Sequence, residues 1–242
     1  MRIAKDVSRS PITILQETTE TGKGGELSTK SLSSTDFPVR ARPARFSLYG
    51  RLKRGFDLCV AVPGLLLAAP LIFLLGAAVK LTSRGPVFYR QERVGLNGKP
   101  FVLIKLRTMY EDAEADGPRW CEEADCRITP VGRFMRRLHL DELPQLLNVI
   151  RGEMALVGPR PERPCFVQDL KRTIPLYERR LAVKPGLTGL AQIRHHSDRS
   201  IEDVQTKLGY DLEYMKRPSL WLDLQILART VVEVIVRPDG SL

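Results

Sequence analysis

Between Leu58 and Val79 the chain carries no charged side chain, a run of 22 residues interrupted only by Pro63-Gly64 and Pro70. About 20 apolar residues suffice for a helix to cross the hydrocarbon core of a bilayer. Two features argue against a plain crossing. Arg51, Lys53 and Arg54 precede the run and Lys80, Arg84 and Arg90 follow it, and basic residues mark the cytoplasmic side of a membrane segment, so both flanks ask for the same side. A proline inside a helix removes a backbone hydrogen bond and bends it. A helix that enters the lipid, bends at Pro70 and returns satisfies both facts. The competing reading is a helix buried in a soluble core, although such helices rarely go so long without a charge.

The rest of the chain divides around this run. Residues 1–45 are rich in Ser, Thr, Gly and Lys and lack periodicity, and so few apolar side chains cannot offset the entropy of ordering. They read as a disordered basic leader, without the apolar core of a signal peptide. Residues 46–84 form the membrane segment and 85–242 a cytosolic domain. Within that domain Val87-Phe88-Tyr89 and Phe101-Val102-Leu103-Ile104, joined through Asn97-Gly98, predict a small β-hairpin. Thr129-Pro130 predicts an N-cap and first helical residue for a basic helix bearing Arg133, Arg136 and Arg137. Two helical patterns close the chain, Ile201 to Lys216 and Ser219 to Arg237, the second suited equally to a membrane interface, Trp221 included, or to core packing.

A formal charge of +10 over 242 residues, with pI about 9.7, points to polyanionic partners: nucleic acid, an anionic membrane surface or phosphate-bearing small molecules. Nucleic acid is disfavoured, since no RNA-binding aromatic motif or clear helix-turn-helix is present and the uncharged run would go unexplained. Cys59, Cys121, Cys126 and Cys165 lack zinc-ribbon spacing, and His139, His195 and His196 lack metal-ligand partners in sequence. There is no phosphate-binding loop of the nucleotide-kinase type and no dinucleotide fingerprint.

Three features carry candidate chemistry. In Leu140-Asp141-Glu142-Leu143-Pro144-Gln145, Pro144 suits a first helical turn and either carboxylate suits the capping position. Neighbouring helical residues point about 100° apart, so the two carboxylates do not form a symmetric acid/base pair. Either Asp141 is a nucleophile and Glu142 a ligand for Mg²⁺, or they merely cap a helix and complement its dipole. Arg160, between Pro159 and Pro161, sits on a stiff loop where a guanidinium can grip an oxyanion at little entropic cost, or simply marks a surface turn. Lys105 and Arg107 alternate on a strand, positioned for a diphosphate, for lipid headgroups or for solvent.

These residues stand in motifs that resemble the bacterial sugar transferases, the small monotopic polyprenyl-phosphate phosphoglycosyl transferases. The likeness runs from about Lys53 to Val236 and includes Lys53-Arg54-x-Phe56-Asp57, Lys105-x-Arg107-Thr108-Met109, Leu140 to Gln145, Gly152 to Pro161, Lys184-Pro185-Gly186-Leu187-Thr188-Gly189 and Leu220-Trp221-Leu222-Asp223-Leu224. The resemblance implies that Asp141 attacks the β-phosphate of a UDP-sugar, releasing UMP, and that a polyprenyl (undecaprenyl) phosphate then takes the phospho-sugar. It implies Mg²⁺ at Asp141 and Glu142. It implies phosphate binding by Arg160 with Pro159 and Pro161, by Arg136 and, as weaker carry-overs, by Lys105 and Arg107.

The fold it implies is α+β and mainly helical: a monotopic membrane protein with a re-entrant helix bent at Pro70, a β-hairpin and interfacial amphipathic helices. Its location would be the bacterial inner membrane, with the catalytic domain on the cytoplasmic face. Membrane lipids are expected partners, nucleic acid is not, and a homo-oligomer is left open. Ala69-Pro70 stands where the family has Ser-Pro, Ala155 replaces a usual Ser, and Arg194-His195-His196 replaces a small residue followed by Gly-Arg.

Overall fold

The computed structural model describes residues 48–113, 125–195 and 200–236. The leader, Cys121 and His196 lie outside the described residues. The apolar run falls inside α1, Leu48–Thr82, a continuous helix of 35 residues that holds both Pro63 and Pro70. Asp57, Ala61, Leu75, Gly76 and Val79 are buried at helical spacing, and Phe56, Leu65 and Ile72 pack beside them. Asp57, toward the start, accepts from the Leu156 N–H, and Val79, near the end, is buried beside Leu106 and Met135, so both stretches sit in one body. A bilayer cannot separate ends that share a body, which is what the matching basic flanks require. The opposite face is open and apolar: Leu66, Leu67, Phe73 and Leu74 are exposed, Leu67 to 82%.

Polar groups lock the start of α1 in place. Arg54 donates to the carbonyls of Val149 and Ile150 at 2.5 and 2.7 Å, satisfying carbonyls that a helix end leaves orphaned. Lys53 Nζ meets Asp223 at 2.9 Å and Asp57 at 3.6 Å. Tyr49 and Tyr214 donate to the same Asp223 at 3.1 and 2.8 Å. Asp57 in turn accepts from the backbone N–H of Leu156. The Lys53-Arg54-x-Phe56-Asp57 motif is thus a fastening between the first helix, the last helix and a central strand.

The hairpin forms as expected. β1, Phe88–Val94, pairs antiparallel with β2, Pro100–Leu106, through a tight turn in which Asn97 and Gly98 take positive φ of 55° and 77°. α2, Pro130–Arg137, begins at Thr129, whose side chain accepts from the Gly132 N–H. A 3-10 segment, Leu140–Gln145, leads into α3, Leu146–Arg151, which ends at Gly152 with φ 84°.

Then follow β3, Ala155–Val157, α4, Pro164–Thr173, a second 3-10 segment, Tyr177–Ala182, and β4, Gly186–Thr188. β3 and β4 form a parallel pair, Ala155 against Gly186 and Val157 against Thr188, which local patterning did not signal. α5, Leu190–Arg194, α6, Ile201–Lys216, and α7, Leu220–Val236, complete the described chain. The main core joins Phe101, Leu103, Leu146, Val149, Met154, Leu156, Leu190, Tyr214 and Ile226.

α7 sends Ile226 into the core with Leu222 and Leu227 packed beside it, and its other face is apolar as well. Asp223 is 0% exposed and Thr230 bonds Thr188 at 2.7 Å, while Trp221 (70% exposed), Leu224, Val231, Val232 and Val236 face outward. Of the two readings open for this helix, core packing holds for its inner face through Ile226, and the outward apolar residues fit a membrane interface.

Candidate active site

The Asp141-Glu142 pair does not cap its helix. The residue before the 3-10 segment is His139, in the left-handed region at φ 53° and without a side-chain cap. Both carboxylates fall inside the first turn, so the expectation that one of them takes the capping position is corrected. The helical start falls earlier because Leu140 packs against the cluster of Leu75, Val79, Leu106 and Met135. Asp141 is 3% exposed, held on a segment whose Pro144 and Gln145 are also buried.

Burial, followed by the negative charge of Glu142, pushes the Asp141 carboxyl above the ordinary aspartate range, while Lys105, Arg136 and His139 pull the other way. Glu142 goes in the opposite direction. Burial, the largest single influence, would raise it, but the Arg160 guanidinium, joined by Lys105 and His139, outweighs that and holds it low. The contact is a two-point fork, Arg160 Nη2 to Glu142 Oε1 at 2.6 Å and Nη1 to Oε2 at 3.4 Å. Adjacent carboxyls are thereby driven apart in character, one basic and desolvated, the other a fixed anion.

The cations arrive from three elements. Lys105, near the end of β2, carries its ammonium 5.8 Å from the Tyr89 ring centroid, and burial pushes its pKa down while Asp141 and Glu142 hold it up. Arg136 is on α2 and donates through Nε to Thr108 Oγ1 at 2.8 Å. α2 is seated there because the Thr129 N–H donates to the Thr108 carbonyl at 3.0 Å and Gly132 passes against that same carbonyl, where a Cβ would come within 2.0 Å of its oxygen.

The loop that carries Arg160 is rigid, as its two prolines lead one to expect. Pro159 and Pro161 are buried and Arg160 stands half-exposed between them. The loop is held through its carbonyls: Pro159 accepts from the Gly186 N–H and Glu162 from the Val94 N–H, each at 2.9 Å. Arg160 accepts from Arg180 at 2.9 Å and Pro161 from Arg93 at 3.0 Å.

Of the sequence-nominated residues, Lys105, Arg136, Asp141, Glu142 and Arg160 come together, with Pro159 and Pro161 as the frame of the last. Arg107 does not join them. Its guanidinium donates to the Ser83 carbonyl at 3.0 Å, to Ser83 Oγ at 2.8 Å and to the Arg84 carbonyl. The strand ends at Leu106, and Arg107 ties down the turn that follows α1. Pro70 stays within α1, on its exposed side. Sequence reasoning missed Tyr89, Thr108, Arg93 and Arg180. It also missed Asn148, fully buried, which clamps β2 by donating to the Val102 carbonyl at 2.7 Å and accepting from the Ile104 N–H at 3.2 Å.

Among the described residues no group of three or more His, Cys, Asp or Glu could hold a metal. Mg²⁺ does not need one. It is commonly bound by one or two carboxylates with phosphate oxygens and waters completing the shell, and Asp141 with Glu142 fit that pattern. The surrounding Lys105, Arg136 and Arg160 favour a cation that arrives with a diphosphate over a bare ion.

Such a site suits a phosphate-bearing ligand met beside an exposed apolar helix. The family model described as bacterial sugar transferase matches residues 48–237, and the chain belongs to that family. It is 39% identical over 188 residues to a UDP-N-acetylgalactosamine-undecaprenyl-phosphate N-acetylgalactosaminephosphotransferase of Aeromonas hydrophila, covering 78% of this chain and 44% of the relative. It is 43% identical over 192 residues to a UDP-glucose:undecaprenyl-phosphate glucose-1-phosphate transferase of Caulobacter vibrioides, covering 78% and 71%. An uncharacterised sugar transferase of Bacillus subtilis, EpsL, is 43% identical over 189 residues, 88% of its length. The chain thus spans less than half of the Aeromonas protein and most of the Caulobacter and Bacillus ones.

Proposed function

We propose that this protein transfers a sugar-1-phosphate from a UDP-sugar to polyprenyl phosphate, by way of a covalent phospho-sugar on Asp141. The observation that carries the reading is the buried Asp141 carboxylate among Lys105, Arg136 and the Arg160–Glu142 pair. Withdrawal of water makes that carboxylate more basic and hence a better nucleophile, and the cations draw a diphosphate toward it. The names of the relatives support the donor and acceptor classes: they specify UDP-linked sugars and undecaprenyl phosphate, with the sugar differing between N-acetylgalactosamine and glucose.

In the first step an Asp141 oxygen bonds to the sugar-bearing phosphorus, the bond from that phosphorus to the UMP oxygen breaks, and UMP leaves with the electron pair. In the second step an oxygen of polyprenyl phosphate attacks the same phosphorus, which frees the carboxylate and gives a polyprenyl-diphosphate sugar. Arg160 stabilises charge on the phosphoryl oxygens from its fixed loop, its guanidinium turning toward them by sharing or releasing the Glu142 carboxylate that it grips in the absence of donor. Lys105 and Arg136 offset the repulsion between carboxylate and diphosphate. Mg²⁺, held by Asp141 and Glu142, would supply further charge neutralisation.

In this reading the apolar faces of α1 and α7 lie in the lipid and the body sits on the cytoplasmic side of the inner membrane, an arrangement that the paired basic flanks of α1 support. The test is donor-dependent UMP release by protein in detergent with undecaprenyl phosphate, together with mass spectrometry of donor-treated protein. Asp141→Asn abolishes both UMP and adduct. Normal UMP release by that variant refutes the assignment.

A further inference from the structure

Behind the Pro-Arg-Pro loop lies a buried ion pair that the reaction itself does not call for. Arg180, in the 3-10 segment Tyr177–Ala182, is 9% exposed, and Asp211 on α6 is 2% exposed. The two make an ion pair of 2.9 Å between Arg180 Nη2 and Asp211 Oδ2. The same Nη2 donates to the backbone carbonyl of Arg160 at 2.9 Å, and Nη1 donates to the Tyr177 hydroxyl at 2.8 Å. Tyr177 is itself buried, with the Arg180 guanidinium 5.2 Å from its ring centroid.

Burying a charge pair is a poor way to stabilise a protein, since apolar residues of similar volume do as well or better. This pair does something an apolar pair cannot. Its guanidinium has a fixed fork of donors, and one of them is spent on the carbonyl of the single residue in the loop that faces Glu142. The other carbonyls of the loop are held from other directions, by Gly186, Arg93 and Val94. Removing the hold on the Arg160 carbonyl leaves that peptide alone untied; the flanking prolines forbid a large rotation, but a small change at the Arg160 backbone is enough to displace the far end of so long a side chain.

We propose that Arg180, charge-balanced by Asp211 and steered by Tyr177, is a positioning residue that aims the Arg160 guanidinium at the donor diphosphate. This rests on the proposed function, in which Arg160 touches substrate. Misplacement of such a group by about 1 Å costs on the order of a hundredfold in rate.

The variant Arg180→Ala would strand Asp211 in the interior and unfold the domain for a trivial reason, so the test removes both charges. The double variant R180M/D211L is compared with the unmodified protein, with R160A and with the triple variant, each purified in detergent and checked by thermal unfolding. UMP release is measured with whichever of UDP-glucose and UDP-N-acetylgalactosamine the unmodified protein turns over, with undecaprenyl phosphate as acceptor. R180M/D211L keeps its melting temperature, raises the KM for the donor and lowers kcat/KM by about tenfold or more. In the R160A background the same exchange changes kcat/KM by less than about twofold, because the group being aimed is gone.

R180K serves as a second variant. It retains the charge for Asp211, yet the lysine chain ends one atom short of the Nη2 position from which Arg180 meets both Asp211 and the Arg160 carbonyl, so it keeps the ion pair, loses the carbonyl and shows the same rise in KM. A folded R180M/D211L or R180K protein with unmodified donor kinetics overturns the proposal, as does a loss that simply adds to that of R160A. If R160A itself releases UMP normally, the role of Arg160 in the proposed function falls along with it. A deficient R160A beside an unaffected pair variant fells the positioning role alone.

Discussion

Replacing Asp223 with alanine tests whether the fastening between α1 and α7 is structural. The carboxylate is fully buried and receives Lys53 at 2.9 Å, Tyr214 at 2.8 Å and Tyr49 at 3.1 Å. Breaking a buried ion pair by deleting one partner costs about 3–5 kcal/mol, because the other is left without compensation. Here Lys53 retains Asp57 at 3.6 Å, which places the expected loss near the lower end, about 3 kcal/mol. For a domain of this size each kcal/mol lowers the melting temperature by about 2–4 °C, so a drop of roughly 6–12 °C follows. Asp223→Asn keeps an acceptor for Tyr214 and loses the charge, and falls between. The assay is thermal unfolding followed by circular dichroism in one detergent at one scan rate, since irreversible transitions depend on rate. A shift below about 2 °C for Asp223→Ala would show that water replaces the carboxylate without penalty, and the account of this network would be wrong.

The remaining expectations concern the site. With Asp141 shifted upward, the acid limb of the first half-reaction, followed without acceptor, lies above the ordinary aspartate range near pH 3.9. Lys105→Met removes a cation that favours the ionised carboxylate and moves that limb to still higher pH; a shift toward lower pH contradicts the electrostatics described. Arg107→Met frees the carbonyls in the turn that follows α1 and lowers the melting temperature by several degrees, while the KM for the donor stays unchanged. A selective rise in KM would return Arg107 to the substrate site.

Much of this architecture is legible in the residues because its causes are local. The hairpin needs positive φ at Asn97 and Gly98, α2 needs Thr129 and Pro130 at its start, and the lone guanidinium needs its two prolines. Each signal sits within a few positions of its effect. What the sequence does not disclose depends on partners far along the chain. Arg107 alternates with Lys105, and pattern alone gives both the same role; only the fold shows that the strand stops between them and that the end of α1 lies alongside Arg107. The parallel pairing of β3 with β4 joins two three-residue segments too short for periodicity to register. Arg180 and Asp211 look like ordinary helix-surface charges until burial identifies them as a pair. The position of Asp141 inside its turn, rather than at the cap, follows from where Leu140 packs, a tertiary effect that capping preference cannot anticipate.

The bond between Lys53 and Asp223 joins residues 170 positions apart. During synthesis the first helix leaves the ribosome long before the last exists, by roughly ten seconds or more at ordinary elongation rates. Throughout that interval the lysine has no distant carboxylate to receive it, so the nascent segment settles against lipid before its final seat is available. Closure of this latch is therefore a late event, and a product stopped short of the final helix would keep its greasy anchor while lacking the clasp that seats it.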